Sequence, residues 1–290
     1  MTLTKSSPCK VNLLLNILGK RSDGFHELET VMQPVNVCDT LELVRGGTGV
    51  RLTCNRPELP VDAGNLVFRA ATLFQQAAGI NEGIGLHLEK RIPVAAGLGG
   101  GSGNAATTLL GLNELFGAPL SSAQLQALAA QLGSDVPFFL QSQPALATGR
   151  GEKVQSLPAF AALRGAAILL MHPGFGIATA WAYRELANHP HALNGQPGRA
   201  RRLIEALQTD DLSVAAGEFY NSLEAPALKK FPVLALYQEF FRSQGAAMAM
   251  MSGSGSTTFA IFADVAAAEA AVSPFQAQFG ANGWLAVVPL

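Results

Sequence analysis

Ile92-Pro93-Val94-Ala95-Ala96-Gly97-Leu98-Gly99-Gly100-Gly101-Ser102-Gly103-Asn104-Ala105-Ala106 sets four glycines within five positions directly ahead of a strong helix pattern. Glycines at such a junction let the backbone approach a bulky anion and turn its N–H groups inward, where a Cβ would obstruct. The helix behind them adds unpaired N-terminal donors and the positive end of its dipole, so the junction is built to hold phosphate. Ala105, Ala106, Leu109, Leu110, Leu112, Leu115 and Phe116 form the apolar face, with Ser102 or Asn104 as expected caps and Gly117 as the stop. On residues alone, a glycine turn that merely packs a strand against a helix is the alternative.

Two familiar phosphate loops are excluded. A P-loop needs Lys-Ser or Lys-Thr after its last glycine, and none follows here. Gly101-x-Gly103-x-x-Ala106 formally fits a dinucleotide loop. The ribose-binding carboxylate expected about 20 residues on is missing, because Leu125, Gln126 and Ala127 stand there.

With 290 residues, 49% of them hydrophobic and 14% charged, the chain can bury a large core. A formal net charge of −1 gives no support to nucleic-acid binding. Three cysteines without C-x-x-C spacing argue against a disulfide framework and against structural zinc, and fit a reducing compartment. Strand pattern begins by Val11, leaving no room for a signal h-region, and the apolar runs 166–171 and 246–251 are too short to span a bilayer. The expected protein is cytoplasmic, with no nucleic-acid or membrane partner and no dedicated metal site.

Apolar periodicity predicts strands at 11–18, 40–44, 85–88, 166–171, 257–262 and 284–288. Helices are predicted at 65–78, from the glycine loop to Phe116, and at 122–132, 202–207, 233–241 and 266–272. The fold class is α+β in two domains, 1–155 and 156–290.

Two side chains carry chemistry. Lys10 stands at the mouth of a hydrophobic strand, where an ammonium needs a partner or must snorkel to water. Asp135, in Gly133-Ser134-Asp135-Val136-Pro137, follows a helix stop and precedes a proline suited to a first helical turn. It reads as an N-cap, as a general base, or as both, since backbone donors fix a carboxylate and favour its ionised form. A phosphate cradle, a base and a cation form the inventory for phosphoryl transfer.

These residues resemble the GHMP kinases. Ser7-Pro8-Cys9-Lys10-Val11-Asn12-Leu13 is similar to their first motif, Pro93 to Ala106 to their second and Ser252 to Ser256 to their glycine-rich third. Gly19-Lys-Arg21-Ser-Asp23-Gly24-Phe25-His26-Glu27-Leu28, Asp39-Thr40, Asn65-Leu66-Val67-x-Arg69-Ala70-Ala71 and Gly133-Ser134-Asp135-Val136-Pro137-Phe138 narrow the match. They point to the branch that phosphorylates the 2-hydroxyl of a cytidine-diphosphate-linked methylerythritol in non-mevalonate isoprenoid synthesis. In the second half the resemblance rests on Gly149-Arg150-Gly151-Glu152, His172-Pro173-Gly174, Asn221-x-Leu223-Glu224 and the turn after Met251.

The resemblance implies an ATP-binding N-terminal domain with a left-handed βαβ unit and a substrate-side C-terminal domain built as a ferredoxin-like α/β sandwich. It implies ATP and Mg²⁺, with Asp135 as base and Lys10 polarising the hydroxyl. ATP would meet Pro93, Val94, Ala95, Ala96, Gly97, Leu98, Gly99, Gly100, Gly101, Ser102, Gly103 and Asn104, with Asn65 and Lys90 near the adenine. Asn12 would hydrogen-bond the substrate, and Phe25, His26 and Tyr183 would face the cytosine. Phe25 stands where tyrosine is common, and Gly103 where serine is usual, which is expected to loosen the helix start. The implied assembly is a monomer or weak homodimer. Kinases of mevalonate, phosphomevalonate, homoserine or a sugar, and a non-catalytic nucleotide-binding relative, are the alternatives.

Overall fold

The computed structural model describes residues 2–290, which divide by proximity into two compact units. The first holds the chain up to Cys9, Val37–Ile92 and Gly99–Ser142; the second holds Lys10–Asn36, Pro93–Leu98 and Gln143–Leu290. The units interleave in sequence because strands β1 (Thr2–Lys20) and β2 (His26–Arg45) each contribute residues to both. Both strands extend well beyond the short segments expected from periodicity.

In the first unit, β3 (Val50–Cys54) runs parallel to β4 (Ile84–Glu89), which pairs antiparallel with Thr40–Arg45 of β2. Three helices complete it: α1 (Leu66–Ala78), α2 (Gly100–Leu115) and α3 (Ser122–Leu132). α1 packs against α2 and α3 through Val67, Ala70, Ala71 and Phe74, all buried. Full burial of a ring such as Phe74 contributes about 1.5–3 kcal/mol. Asn65 caps α1 by accepting from Val67 N at 3.0 Å. α3 has the expected bounds, fixed by a capping box between Ser121 and Gln124 and ended by Gly133.

In the second unit, β2 also pairs antiparallel with β5 (Ala145–Gly149), which pairs with β6 (Lys153–Ser156). β1 pairs parallel with β8 (Tyr220–Asn221) at Leu14 and Leu15. A separate four-stranded sheet contains β7 (Ala167–His172), β9 (Met248–Met251), β10 (Thr258–Phe262) and β11 (Trp284–Pro289). Its order is β11-β7-β10-β9, every neighbour antiparallel. Helix Val233–Ser243 precedes β9, and helices Val265–Ala270 and Val272–Phe279 separate β10 from β11. With strands taken as β7, β9, β10 and β11, this is the β-α-β-β-α-β ferredoxin-like pattern. Phe241 and Phe275, both fully buried, stack at 4.9 Å between centroids.

No helix among the described residues is long and apolar enough to cross a membrane. The basic cluster Arg199, Arg201 and Arg202 opens helix Arg199–Leu207. Arg201 is spent on an exposed i,i+4 pair with Glu205.

Candidate active site

The glycine run does begin a helix, but its cap differs from expectation. Neither Ser102 nor Asn104 caps α2; the N-cap is Gly99 in the left-handed region at φ 68°, and no side chain bonds to the first turn. A glycine adopts that conformation without a Cβ penalty. The helix therefore offers its leading N–H groups to an external anion instead of to its own side chain. Asn104 lies within the helix and is buried.

Beneath this helix start lies a closed polar cluster that sequence reading did not assemble. Asp39 is completely buried and its carboxylate accepts from Arg91 N at 2.7 Å and Ile92 N at 2.9 Å. It also accepts from Asn104 Nδ2 at 2.9 Å and forms an ion pair with Lys90. Lys90 Nζ donates further to Asn104 Oδ1 at 3.2 Å, and Asn104 Nδ2 to Ser7 Oγ at 2.9 Å. The Lys90 ammonium and the Asn104 amide, both expected at ATP, are thus committed inward, where they brace the strand-to-helix junction. Removing one partner of such a buried pair costs about 3–5 kcal/mol. The signal in sequence was the Asp39-Thr40 dipeptide, but only folding brings it to Lys90, 51 residues away.

Gly103 also has a definite physical role. A Cβ there would stand 2.7 Å from the Pro8 carbonyl oxygen and 3.3 Å from Ser7 Oγ. The glycine lets α2 lie directly on β1. Gly103→Ser is accordingly expected to destabilise by about 1–3 kcal/mol through overpacking, despite serine's better helix propensity. Chemical denaturation checks this; an unchanged midpoint would remove the packing role.

Asp135 lies in the turn after α3, half-buried, with Val136 N donating to Gly133 O at 3.3 Å. The short 3₁₀ segment Pro137–Leu140 has Val136 as its N-cap residue, with no side-chain cap bond. The N-cap position thus falls on Val136 and not on Asp135, and the segment's Phe138 and Phe139 rings meet edge to face at 5.0 Å.

In the second unit, Lys10 does not snorkel to water. It is 3% exposed, with Nζ 2.5 Å from Asn12 Oδ1 and 3.3 Å from Gly97 O. Gly97 is left-handed at φ 77°, and its carbonyl also accepts from Ser252 Oγ at 3.0 Å. Ala95, a residue with a Cβ, is held at φ 54°. Such strain costs about 1–2 kcal/mol and persists only where its surroundings impose it.

The third glycine motif is held in turn by Asn221-x-Leu223-Glu224. Asn221 Nδ2 donates to both Met251 O and Gly253 O at 2.8 Å, and Glu224 accepts from Met251 N at 2.7 Å. Burial raises the Glu224 carboxyl above the usual range. Neither side chain was expected to act there; their appearance in the motif string was the available signal.

At the start of β2, His26 and Tyr183 lie ring against ring, 5.1 Å between centroids and tilted 40°. Burial and, secondarily, the Lys20 charge hold the His26 imidazole below its ordinary pKa. Phe25 is 50% exposed, with the Arg150 guanidinium 4.5 Å over its ring. An exposed phenylalanine braced by a cation is a flat platform suited to another π system.

Asn65 uses its amide as the α1 cap and as a donor to Pro60 O at 2.8 Å. No cluster of three or more His, Cys, Asp or Glu side chains arranged for a metal occurs among the described residues.

Comparison with known proteins shows the family. Residues 65–143 match the family model of the GHMP kinases N terminal domain, and residues 194–281 that of the GHMP kinases C terminal. A 4-diphosphocytidyl-2-C-methyl-D-erythritol kinase of Synechococcus sp. (strain JA-3-3Ab) is 42% identical, over 88% of this chain and 84% of that relative. One from Geobacter sp. (strain M21) is 38% identical, over 97% and 95%. A crystal structure of 4-(cytidine 5'-diphospho)-2C-methyl-D-erythritol kinase superposes with TM-score 0.78 at 34% identity, covering 99% of this chain and all of that one. Homoserine kinase from Cytophaga hutchinsonii superposes with the same score over 99% of this chain and 93% of that one; at 22% identity it shares the fold alone.

Proposed function

Because the chain belongs to the GHMP kinases, and within them to the 4-diphosphocytidyl-2-C-methyl-D-erythritol kinases, we propose that it transfers the γ-phosphoryl group of ATP to the 2-hydroxyl of 4-diphosphocytidyl-2-C-methyl-D-erythritol, a step of non-mevalonate isoprenoid synthesis. The observation that carries this is the N-terminus of α2, capped by a left-handed glycine and by no side chain.

ATP phosphates bind across Pro93–Asn104, with backbone N–H groups meeting the oxygens. The Ser102 hydroxyl, half-buried in the first turn of α2, is the side chain that would hold Mg²⁺ together with the phosphates. This fits an ion that keeps most of its waters and needs few protein ligands; when bound, it neutralises phosphate charge. Asn65, the cap of α1, and Lys90, the residue after β4, are assigned to the adenine side by position, with the Lys90 ammonium itself engaged by Asp39. In this reading residues 1–155 carry the nucleotide together with Lys10, Asn12, Phe25, His26 and Asp135, and residues 156–290 supply Tyr183 on the substrate side.

Lys10 polarises the acceptor hydroxyl while Asp135 takes its proton. The hydroxyl oxygen forms the new bond to phosphorus, the bond to the bridging oxygen breaks, and ADP leaves. Base catalysis of this kind supplies about 10² to 10⁴ in rate. Asn12 serves the substrate from beside Lys10, and Phe25, His26 and Tyr183 receive the cytosine. A neutral His26 both donates and accepts, which suits a base that offers an amino group and a ring acceptor.

An ADP-release assay with three acceptors tests the proposal. Turnover is expected with the cytidine-linked methylerythritol and not with mevalonate or homoserine; preference for either of the latter overturns the substrate assignment. Phe25→Ala and Tyr183→Ala are each expected to raise KM for the cytidine substrate about tenfold, the worth of one base-stacking contact, with little change in KM for ATP. An equal rise for both nucleotides removes the cytosine assignment.

A further inference from the structure

Within the second unit a line of buried polar groups leads to the Lys10 ammonium from its inner side. Asn12 is 4% exposed and Thr30, on the neighbouring strand β2, is 3% exposed. Thr30 Oγ1 lies 2.6 Å from Leu14 O and 2.8 Å from Asn12 Nδ2, and Asn12 Oδ1 lies 2.5 Å from Lys10 Nζ.

Proton counting sets the direction of this relay. The Leu14 carbonyl can only accept, so the Thr30 hydroxyl gives its one proton there. Its oxygen then acts as an acceptor towards Asn12, and only the amide nitrogen can satisfy it. The amide oxygen is thereby turned to Lys10. A flipped amide would set N–H against ammonium, donor against donor, and carbonyl oxygen against a hydroxyl that has no second proton. Because the bonds run head to tail in a buried setting, each polarises the next.

We propose that Thr30 is a positioning residue for phosphoryl transfer: anchored on the Leu14 carbonyl, its hydroxyl fixes the orientation of the Asn12 amide and so the direction in which the Lys10 ammonium points. Together with the Gly97 carbonyl, Asn12 Oδ1 takes two of the three Nζ–H directions. Those two acceptors help to fix the orientation of the ammonium. Thr30 itself touches no substrate. The inference rests on Lys10 acting at the acceptor hydroxyl.

Thr30→Val keeps the shape and the strand propensity of the side chain while removing both its proton and its lone pairs. It is expected to lower kcat about tenfold or more while KM for ATP stays within about twofold, since an interaction expressed in the transition state is lost and nucleotide binding is not. Thr30→Ser restores the hydroxyl and should recover kcat to within about threefold. Thr30→Ala, also without a hydroxyl, carries the same expectation should the valine variant fail to fold. Spectra of protein labelled with ¹⁵N at asparagine side chains give a readout independent of turnover. The Asn12 Nδ2 signals should move in the valine and alanine variants and stay in the serine variant. If the wild-type protein phosphorylates none of the acceptors, the kinase proposal fails while these spectra still decide the relay. Wild-type kcat in Thr30→Val, a serine variant as impaired as the valine one, or Asn12 signals that ignore the loss of the hydroxyl would each overturn the positioning role.

Discussion

Asp135→Asn is expected to lower kcat by about 100-fold or more while leaving KM for both ATP and the cytidine-linked acceptor near the unmodified values. The amide replaces one carboxylate oxygen by NH₂, so volume and most hydrogen bonding survive while proton acceptance is lost. The turn itself is held by buried Val136 and Phe138 and by the hydrogen bond from Val136 N to Gly133 O, all of which the exchange leaves in place. A loss confined to kcat identifies a group acting in the transition state; a parallel rise in KM would instead indicate ground-state binding. Steady-state ADP release with each substrate varied in turn separates the two. Turnover within a few-fold of the unmodified enzyme would eliminate Asp135 as the base.

Gly97→Ala is the second change with a large expected effect. At φ 77° an L-residue meets its own carbonyl, costing about 1–2 kcal/mol before any neighbour is considered. The added Cβ would also fall onto Ser252 O and within 2.9 Å of Gly255 N. The glycine turn must then move, carrying away the Ser252 hydroxyl and the carbonyl on which Lys10 Nζ rests. Stability is expected to drop by about 2–4 kcal/mol in total. kcat/KM should fall about 100-fold, the usual consequence of misplacing reacting groups by an ångström. Denaturant melts and the ADP-release assay check both halves. A variant with the stability and turnover of the unmodified protein would show that the close approach of Gly97 to the third motif is dispensable.

How far the sequence could be read depended on the range of the interactions involved. α3 was legible to the residue because its signals are local: Ser121 and Gln124 close a capping box and Gly133 ends the helix. The start of α2 was legible as a glycine-led helix N-terminus, yet its cap was misassigned to Ser102 or Asn104. Side-chain preference points to those residues, whereas the left-handed Gly99 is selected by the path of the loop. β1 and β2, 19 and 20 residues long, were read as short strands, since much of each gains strand geometry from pairing with distant segments and not from alternation. Lys10 and Asp135 stood out through their placement and through the resemblance. Asp39, Asn221, Glu224 and Thr30 did not, because their importance lies in which polar atoms they satisfy.

Glycine spacing, helix periodicity and motif order, all carried by neighbours along the chain, were enough to determine the family, the α+β class and a helix that starts on a glycine run. Tertiary structure alone decided that Lys90 and Asn104 turn inward to Asp39, that Gly103 yields its space to the Pro8 carbonyl, and that Thr30 orients Asn12 beneath Lys10. The physical reason is that a buried polar atom must find its partner wherever the fold brings one, across 18 to 65 residues of chain in these cases, and no local pattern encodes that meeting.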